Sequence, residues 1–196
     1  MVKINTPITM ETALSLRLGE MVLISGIIYT GRDRLHQYLV RERPDRSHMP
    51  FDLEGGIIYH CGPLVKTVDN NTYIAVAAGP TTSMRVDIYT PELIRHYGLR
   101  VIMGKGGMGE ETVRAMAESG CVYLNTINGA AAYLADRIVA VHGVWKLEDF
   151  GPTEALWVLE VRDFPAIVTI DAHGNSLHSQ IREGSYSQLM RLFGPN

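Results

Sequence analysis

Cysteine is scarce in this chain. Cys61 and Cys121 are the only two among 196 residues, and neither sits in a C-x-x-C pair. Two separated thiols build no disulfide framework and no self-contained zinc or iron–sulfur site, so the chain is expected to bind no metal itself. Positive charge is not in excess: 18 Lys and Arg face 21 Asp and Glu, a net charge of −3. A nucleic-acid surface needs a basic patch. The densest basic stretch, Arg41 to His48, is interrupted by Glu42 and Asp45 and reads as a solvated loop. No apolar run is long enough to cross a bilayer, and Met1 to Glu20 contains no apolar signal core. The expectation is a cytoplasmic protein without nucleic-acid or membrane partners.

What is present is a normal core: 46% of residues are hydrophobic. The length suits one domain, residues 1–196. Seven apolar segments read as strands: Met21–Ile28, Gly55–His60, Tyr73–Ala78, Leu99–Met103, Cys121–Ile127, Ala155–Val161 and Ala166–Asp171. Most do not alternate, as expected of strands covered on both faces. Helical segments fall between several of them. Arg32 to Glu42 follows the first strand. Thr90 to Gly98 offers Thr90 as N-cap, Pro91 at the first helical position and Gly98 past the end. Gly109 to Gly120 places Glu110 and Glu111 in its first turn, where the helix dipole favours them. Asn128 to Val139 is Ala-rich and helix-like. Beyond about residue 140 strands follow without helices, and Arg43 to Gly56 reads as an exposed loop. The class is mixed α/β with a partly parallel sheet and a β-rich end.

Chemistry collects after three of the strands. Arg32, Asp33 and His36 follow the first; Thr81, Thr82, Ser83 and Arg85 follow Tyr73–Ala78; Lys105 follows Leu99–Met103. In open α/β sheets ligands bind at the carboxyl edge. Three cations gathered there call for an anion, and two arginines and a lysine suit a small dicarboxylate. The stretch Gly79 to Ser83 adds hydroxyls and free N–H groups at a helix start. The alternative is that each cation is a separate surface residue. Gly104, Gly106 and Gly109 also give the spacing G-x-G-x-x-G of a dinucleotide loop. That pattern wants an acid at the end of the next strand, yet Ser119 to Ala135 contains neither Asp nor Glu. His36, one turn beyond Arg32, could orient Asp33 or touch substrate, or be an ordinary half-buried histidine. His60 beside Cys61 resembles half a metal site, but a strand end explains it. Cys121 reads as a buried apolar residue, and His173 and His178 as structural or exposed.

The ordered segments "SGIIYTGRDRLHQ", "GGIIYHCGP", "AAGPTTSMRVD", "VIMGKGGM" and "DFPAIVTIDAHGNSLH" resemble the C-terminal domain of class I fumarases. In two-subunit forms this domain is a separate β subunit, and L-tartrate dehydratase has a similar one. The resemblance implies a swivelling β/β/α fold. It implies a hydro-lyase that hydrates fumarate to L-malate or dehydrates tartrate. The four-iron four-sulfur cluster would be carried by a partner α subunit, in an assembly of two of each subunit or larger. It implies Arg32, Arg85 and Lys105 as ligands of the dicarboxylate substrate and Thr81 as the proton donor or acceptor. Asp33, His36 and Thr82 would support them. Asn128 departs from the family pattern, where a glycine is expected.

Overall fold

A computed structural model describes residues 1–69 and 72–194. In chain order the elements are β1 (Val2–Asn5), α1 (Met10–Ser15), β2 (Met21–Thr30), α2 (Asp33–Glu42), β3 (Ile57–Tyr59), β4 (Leu64–Asp69) and β5 (Thr72–Ala77). There follow α3 (Thr90–Tyr97), β6 (Val101–Gly104), α4 (Glu110–Ser119), β7 (Val122–Asn125), α5 (Ala131–Ala135), β8 (Ile138–Trp145), α6 (Leu147–Phe150), β9 (Leu156–Ile170) and α7 (Leu177–Phe193). Single 3-10 turns lie at Arg46–His48 and Ser83–Val86. No described helix is long and apolar enough to cross a membrane.

Strands β1, β2, β3, β6 and β7 run parallel, and β9 and β8 run antiparallel to their neighbours. This is the mixed, partly parallel sheet expected. β9 also pairs with β2 from Met21↔Ile167 to Tyr29↔Val158, which closes β2, β3, β6, β7 and β9 into a ring. Because side chains alternate across a strand, the ring divides its residues between two cores. Ile57, Tyr59, Val101, Met103, Val122 and Leu124 fill the inside with Leu159, Phe164 and Val168. Ile58, Ile102 and Tyr123 face outward beneath α2, α3 and α4, whose Leu35, Leu39, Leu93, Ile94 and Met116 cover them.

Helix ends follow local chemistry. Gly98 and Gly120 adopt left-handed backbone at φ 68° and 64° and close α3 and α4. Thr90 is not the N-cap of α3: it is the first helical residue, and its hydroxyl donates to the Val86 carbonyl at 2.9 Å.

Other expectations change. The segments Ala155–Val161 and Ala166–Asp171 are one strand of 15 residues. Pro165 does not end it, because a bulge absorbs the break: Asp163 has φ 47°, its N–H donates to the Ser25 hydroxyl oxygen at 3.1 Å, and the register with β2 shifts there. Tyr73–Ala78 is not a sheet strand covered on both faces. It forms with β4 a separate two-stranded sheet, and along β5 exposed and half-buried residues alternate. The helix expected over Asn128–Val139 stops at Ala135, because Ile138 joins the ladder with β9. In the loop Arg43 to Gly56, Met49 and Leu53 are buried. The β-rich end also carries α6 and the 17-residue α7, capped by the Ser176 hydroxyl. From Gln180 to Phe193 every residue of α7 is exposed, so it has no buried stripe to announce it.

Candidate functional site

Three chain segments meet at the carboxyl edge of the parallel strands. Arg32 follows β2, His60 follows β3 and Lys105 follows β6. The segment Thr81–Arg85 follows β5 of the two-stranded sheet rather than a strand of the ring, yet backbone bonds lace it to the same edge. Thr81 N–H donates to the His60 carbonyl at 2.7 Å, Ser83 N–H to the Lys105 carbonyl at 3.0 Å, and Lys105 N–H to the Thr81 carbonyl at 3.3 Å. The same bonds remove the free N–H groups expected at this turn: those of Thr81 and Ser83 are used internally. Thr81 is half-buried and Thr82 exposed.

Two of the three cations have their own carboxylates. Arg32 Nε lies 3.3 Å from Glu154 Oε1, both side chains being mostly buried. Glu154 Oε2 accepts the Arg34 N–H at 3.0 Å. A side chain at Gly62 would press on Arg32 Nη1 at 3.0 Å, so that glycine leaves room for the guanidinium. Arg85 pairs with Asp33 at 3.1 Å. Asp33 thus neutralises Arg85 and is not oriented by His36. Lys105, half-buried, makes no ion pair among the described residues. Local charge compensation therefore leaves about one positive charge in excess, centred on Lys105. That excess can attract a carboxylate more strongly than a fully paired set.

His36 is not half-buried at the surface; it is completely buried, and so is His60. His36 Nδ1 bonds the Arg32 carbonyl at 2.8 Å, and His36 Nε2 lies 3.2 Å from His60 Nε2. His60 Nδ1 bonds Ser83 Oγ at 2.8 Å, which bonds Tyr123 Oη at 2.8 Å. Both ring nitrogens of His36 are engaged within the protein. Burial pushes the His36 pKa down to about 4, against the lesser pull of the Arg32 carbonyl and Asp33, and lowers His60 too, with help from His36. Burial also pushes the Cys61 and Cys121 thiols up to about 12. Thiols held neutral in this way are poor metal ligands. No group of three His, Cys, Asp or Glu among the described residues is placed to hold a metal ion.

The glycine loop after β6 is filled from within. Gly109 N–H donates to Asp87 Oδ1 at 2.8 Å and the Thr112 hydroxyl to the same oxygen at 2.7 Å. A carboxylate thus occupies the start of α4, where a dinucleotide loop would bind pyrophosphate. Gly104 lies against Ser83 Oγ and the His60 ring and has no space for a side chain.

Glu154, His60 and Tyr123 escape sequence reasoning as parts of this site. Glu154 lies in the turn before β9, far along the chain from Arg32. His60 offered a signal, a polar residue after an apolar strand, but it points equally to a strand end.

The sequence profile of the fumarase C-terminus matches residues 1–181. A Geobacillus stearothermophilus protein provisionally named fumarate hydratase class I is 48% identical over 194 residues, 99% of this chain and 37% of that protein. A Methanocaldococcus jannaschii protein provisionally named L(+)-tartrate dehydratase subunit beta is 38% identical over 188 residues, 95% of this chain and 96% of that protein. The L(+)-tartrate dehydratase subunit beta of Escherichia coli K12 is 36% identical over 181 residues, 89% of this chain and 85% of that protein. The chain spans little more than a third of the first relative and most of the other two. Matched almost end to end by the profile and by relatives of both enzyme names, it belongs to the fumarase C-terminus family.

Proposed function

We propose that residues 1–196 act as one domain, the β subunit of a cytoplasmic class I hydro-lyase that interconverts fumarate and L-malate with an α subunit, as in the tricarboxylic acid cycle. The observation that carries this reading is the meeting of Arg32, Arg85 and Lys105 at one sheet edge, with Lys105 in no ion pair among the described residues. The enzyme is an iron–sulfur enzyme on this reading. Cys61 and Cys121 do not fit a cluster, being buried apart, one just after β3 and one just before β7, with their thiols held neutral. The α subunit would carry it, in an assembly of two of each subunit or larger, and this chain supplies the substrate grip. Swivelling of the domain would open and close that grip.

Arg32, aimed by Glu154, and Arg85, aimed by Asp33, bind carboxylate oxygens. Removing a proton from the carbon beside a carboxylate builds negative charge on that carboxylate, and Lys105 is fixed where such charge is stabilised. Thr81 moves the proton. A threonine hydroxyl is a weak base, so it acts under the influence of the neighbouring cations.

A second reading has its own support. The chain covers 96% and 85% of two proteins named as tartrate dehydratase β subunits, and the same cations bind tartrate. The test is the complex with its α subunit, reconstituted anaerobically and assayed side by side on L-malate and L(+)-tartrate. Lys105→Ala is expected to lower kcat/KM on the preferred substrate by about 100-fold or more. Turnover equal to wild type would refute the role of Lys105.

A further inference from the structure

The buried bonds between Arg32 and Tyr123 have a direction. The Arg32 carbonyl carries no proton, so His36 Nδ1 must donate to it. A neutral His36 then presents a bare Nε2, so His60 Nε2 donates across the 3.2 Å gap. His60 Nδ1 is bare in turn and accepts from the Ser83 hydroxyl, whose oxygen accepts from the Tyr123 hydroxyl. One carbonyl thereby fixes every proton in the row, and each imidazole nitrogen has a matching partner. The two rings meet edge to face, 4.9 Å between centroids. Among the described residues, Asp33 is the charge that favours a protonated His36, and His36 is the neighbour that disfavours a protonated His60.

The row joins the segments that carry the cations. The Arg32 carbonyl and His36 belong to the entry of α2, His60 to the end of β3, and Ser83 to the Thr81–Arg85 turn. His60 grips that turn twice, by its carbonyl on Thr81 N–H and by its ring on the Ser83 hydroxyl. Gly104, next to Lys105, lies against both members of the second contact. A dicarboxylate has a fixed span, so its ligands must hold a fixed separation.

We propose that His60 is a positioning residue which, with His36 and Ser83, sets the spacing of Arg32 from the Thr81–Arg85 turn through a one-way row of buried hydrogen bonds. Its kinetic consequence rests on the dicarboxylate reading above; its proton order does not.

Two measurements test it. Ring nitrogen-15 NMR of the whole chain, with His36→Gln and His60→Gln for assignment, should find His36 protonated on Nδ1 and His60 on Nε2. Neither should titrate between about pH 5 and 8, the range in which ordinary histidines do. His36 protonated on Nε2, or either ring titrating near its usual value, overturns the row. The second measurement compares Ser83→Ala with Tyr123→Phe in the reconstituted complex. Both break the Ser83–Tyr123 bond, but only Ser83→Ala frees His60. Ser83→Ala should raise the dicarboxylate KM about tenfold or more, and Tyr123→Phe by less than about threefold. Equal effects reduce the row to packing and overturn the proposal. If the wild-type complex turns over neither malate nor tartrate, the functional reading fails while the NMR result still decides the proton order.

Discussion

Acid should unfasten this protein through His36, and the size of the effect follows from its burial. In the fold the ring is neutral, with its pKa pushed down to about 4 from 6.5. Between those values the unfolded chain binds a proton that the folded chain refuses. The stabilisation is therefore complete above about pH 6.5 and is lost as pH falls toward 4. From about pH 7 to about pH 5 the loss is about 2 kcal/mol, and it reaches about 3 kcal/mol at pH 4 and below. For a chain of this size the first figure lowers the melting temperature by about 4–8 °C. Burial lowers His60 as well, so it adds in the same direction. The assay is thermal unfolding of the isolated chain, followed by circular dichroism across this pH range, in wild type and His36→Gln. The variant starts less stable but has no imidazole at position 36 to titrate, so its stability should fall less steeply with acid. Parallel falls in the two proteins would refute the reasoning, because the shared carboxylates would then account for all of it.

Gly104→Ala should cost about 1–3 kcal/mol by forcing Ser83 and His60 apart, seen as a lower melting temperature together with a raised KM. An unchanged KM would mean that the spacing of the cations does not depend on this contact. Glu154→Gln leaves Arg32 without its carboxylate in a mostly buried position. It should lower stability by about 1–2 kcal/mol in urea titrations and weaken dicarboxylate binding. Cys61 and Cys121, both fully buried, should resist a thiol reagent in the native chain and react at once in denaturant. Rapid native labelling of either would contradict their burial.

The strand ends that carry Arg32 and Lys105 were legible because strands covered on both faces leave unbroken apolar runs, and glycines punctuate their ends. The grouping of cations was legible for the same reason. Their neutralisation was not: Glu154 comes to Arg32 from the far side of the sequence, through a turn that Gly151-Pro152 marks without naming its partner. Asp33 was visible beside Arg32 but serves Arg85 instead. His36 and His60 stand 24 positions apart, and only the crossover between β2 and β3 brings their rings into contact. The break read between Val161 and Ala166 shows the opposite failure. A strong local signal was overruled by ladders on both sides of β9 and absorbed in a bulge at Asp163. The helix α7 was missed because its sequence has no buried face to produce a period.

The ring closed by β9 also dictates when this protein can fold. Its parallel strands β2, β3, β6 and β7 are laid down early, but the strand that joins β2 to β7 arrives last among the nine. Until Leu156–Ile170 leaves the ribosome, both flanks of the nascent sheet remain open, and the pairing of β2 with β9 must then bridge more than a hundred residues. Such long-range closure slows folding and prolongs the exposure of bare strand edges. The final strand is therefore the step at which a chaperone would matter most, and substitutions in β9 should act on yield in the cell before they act on the finished protein.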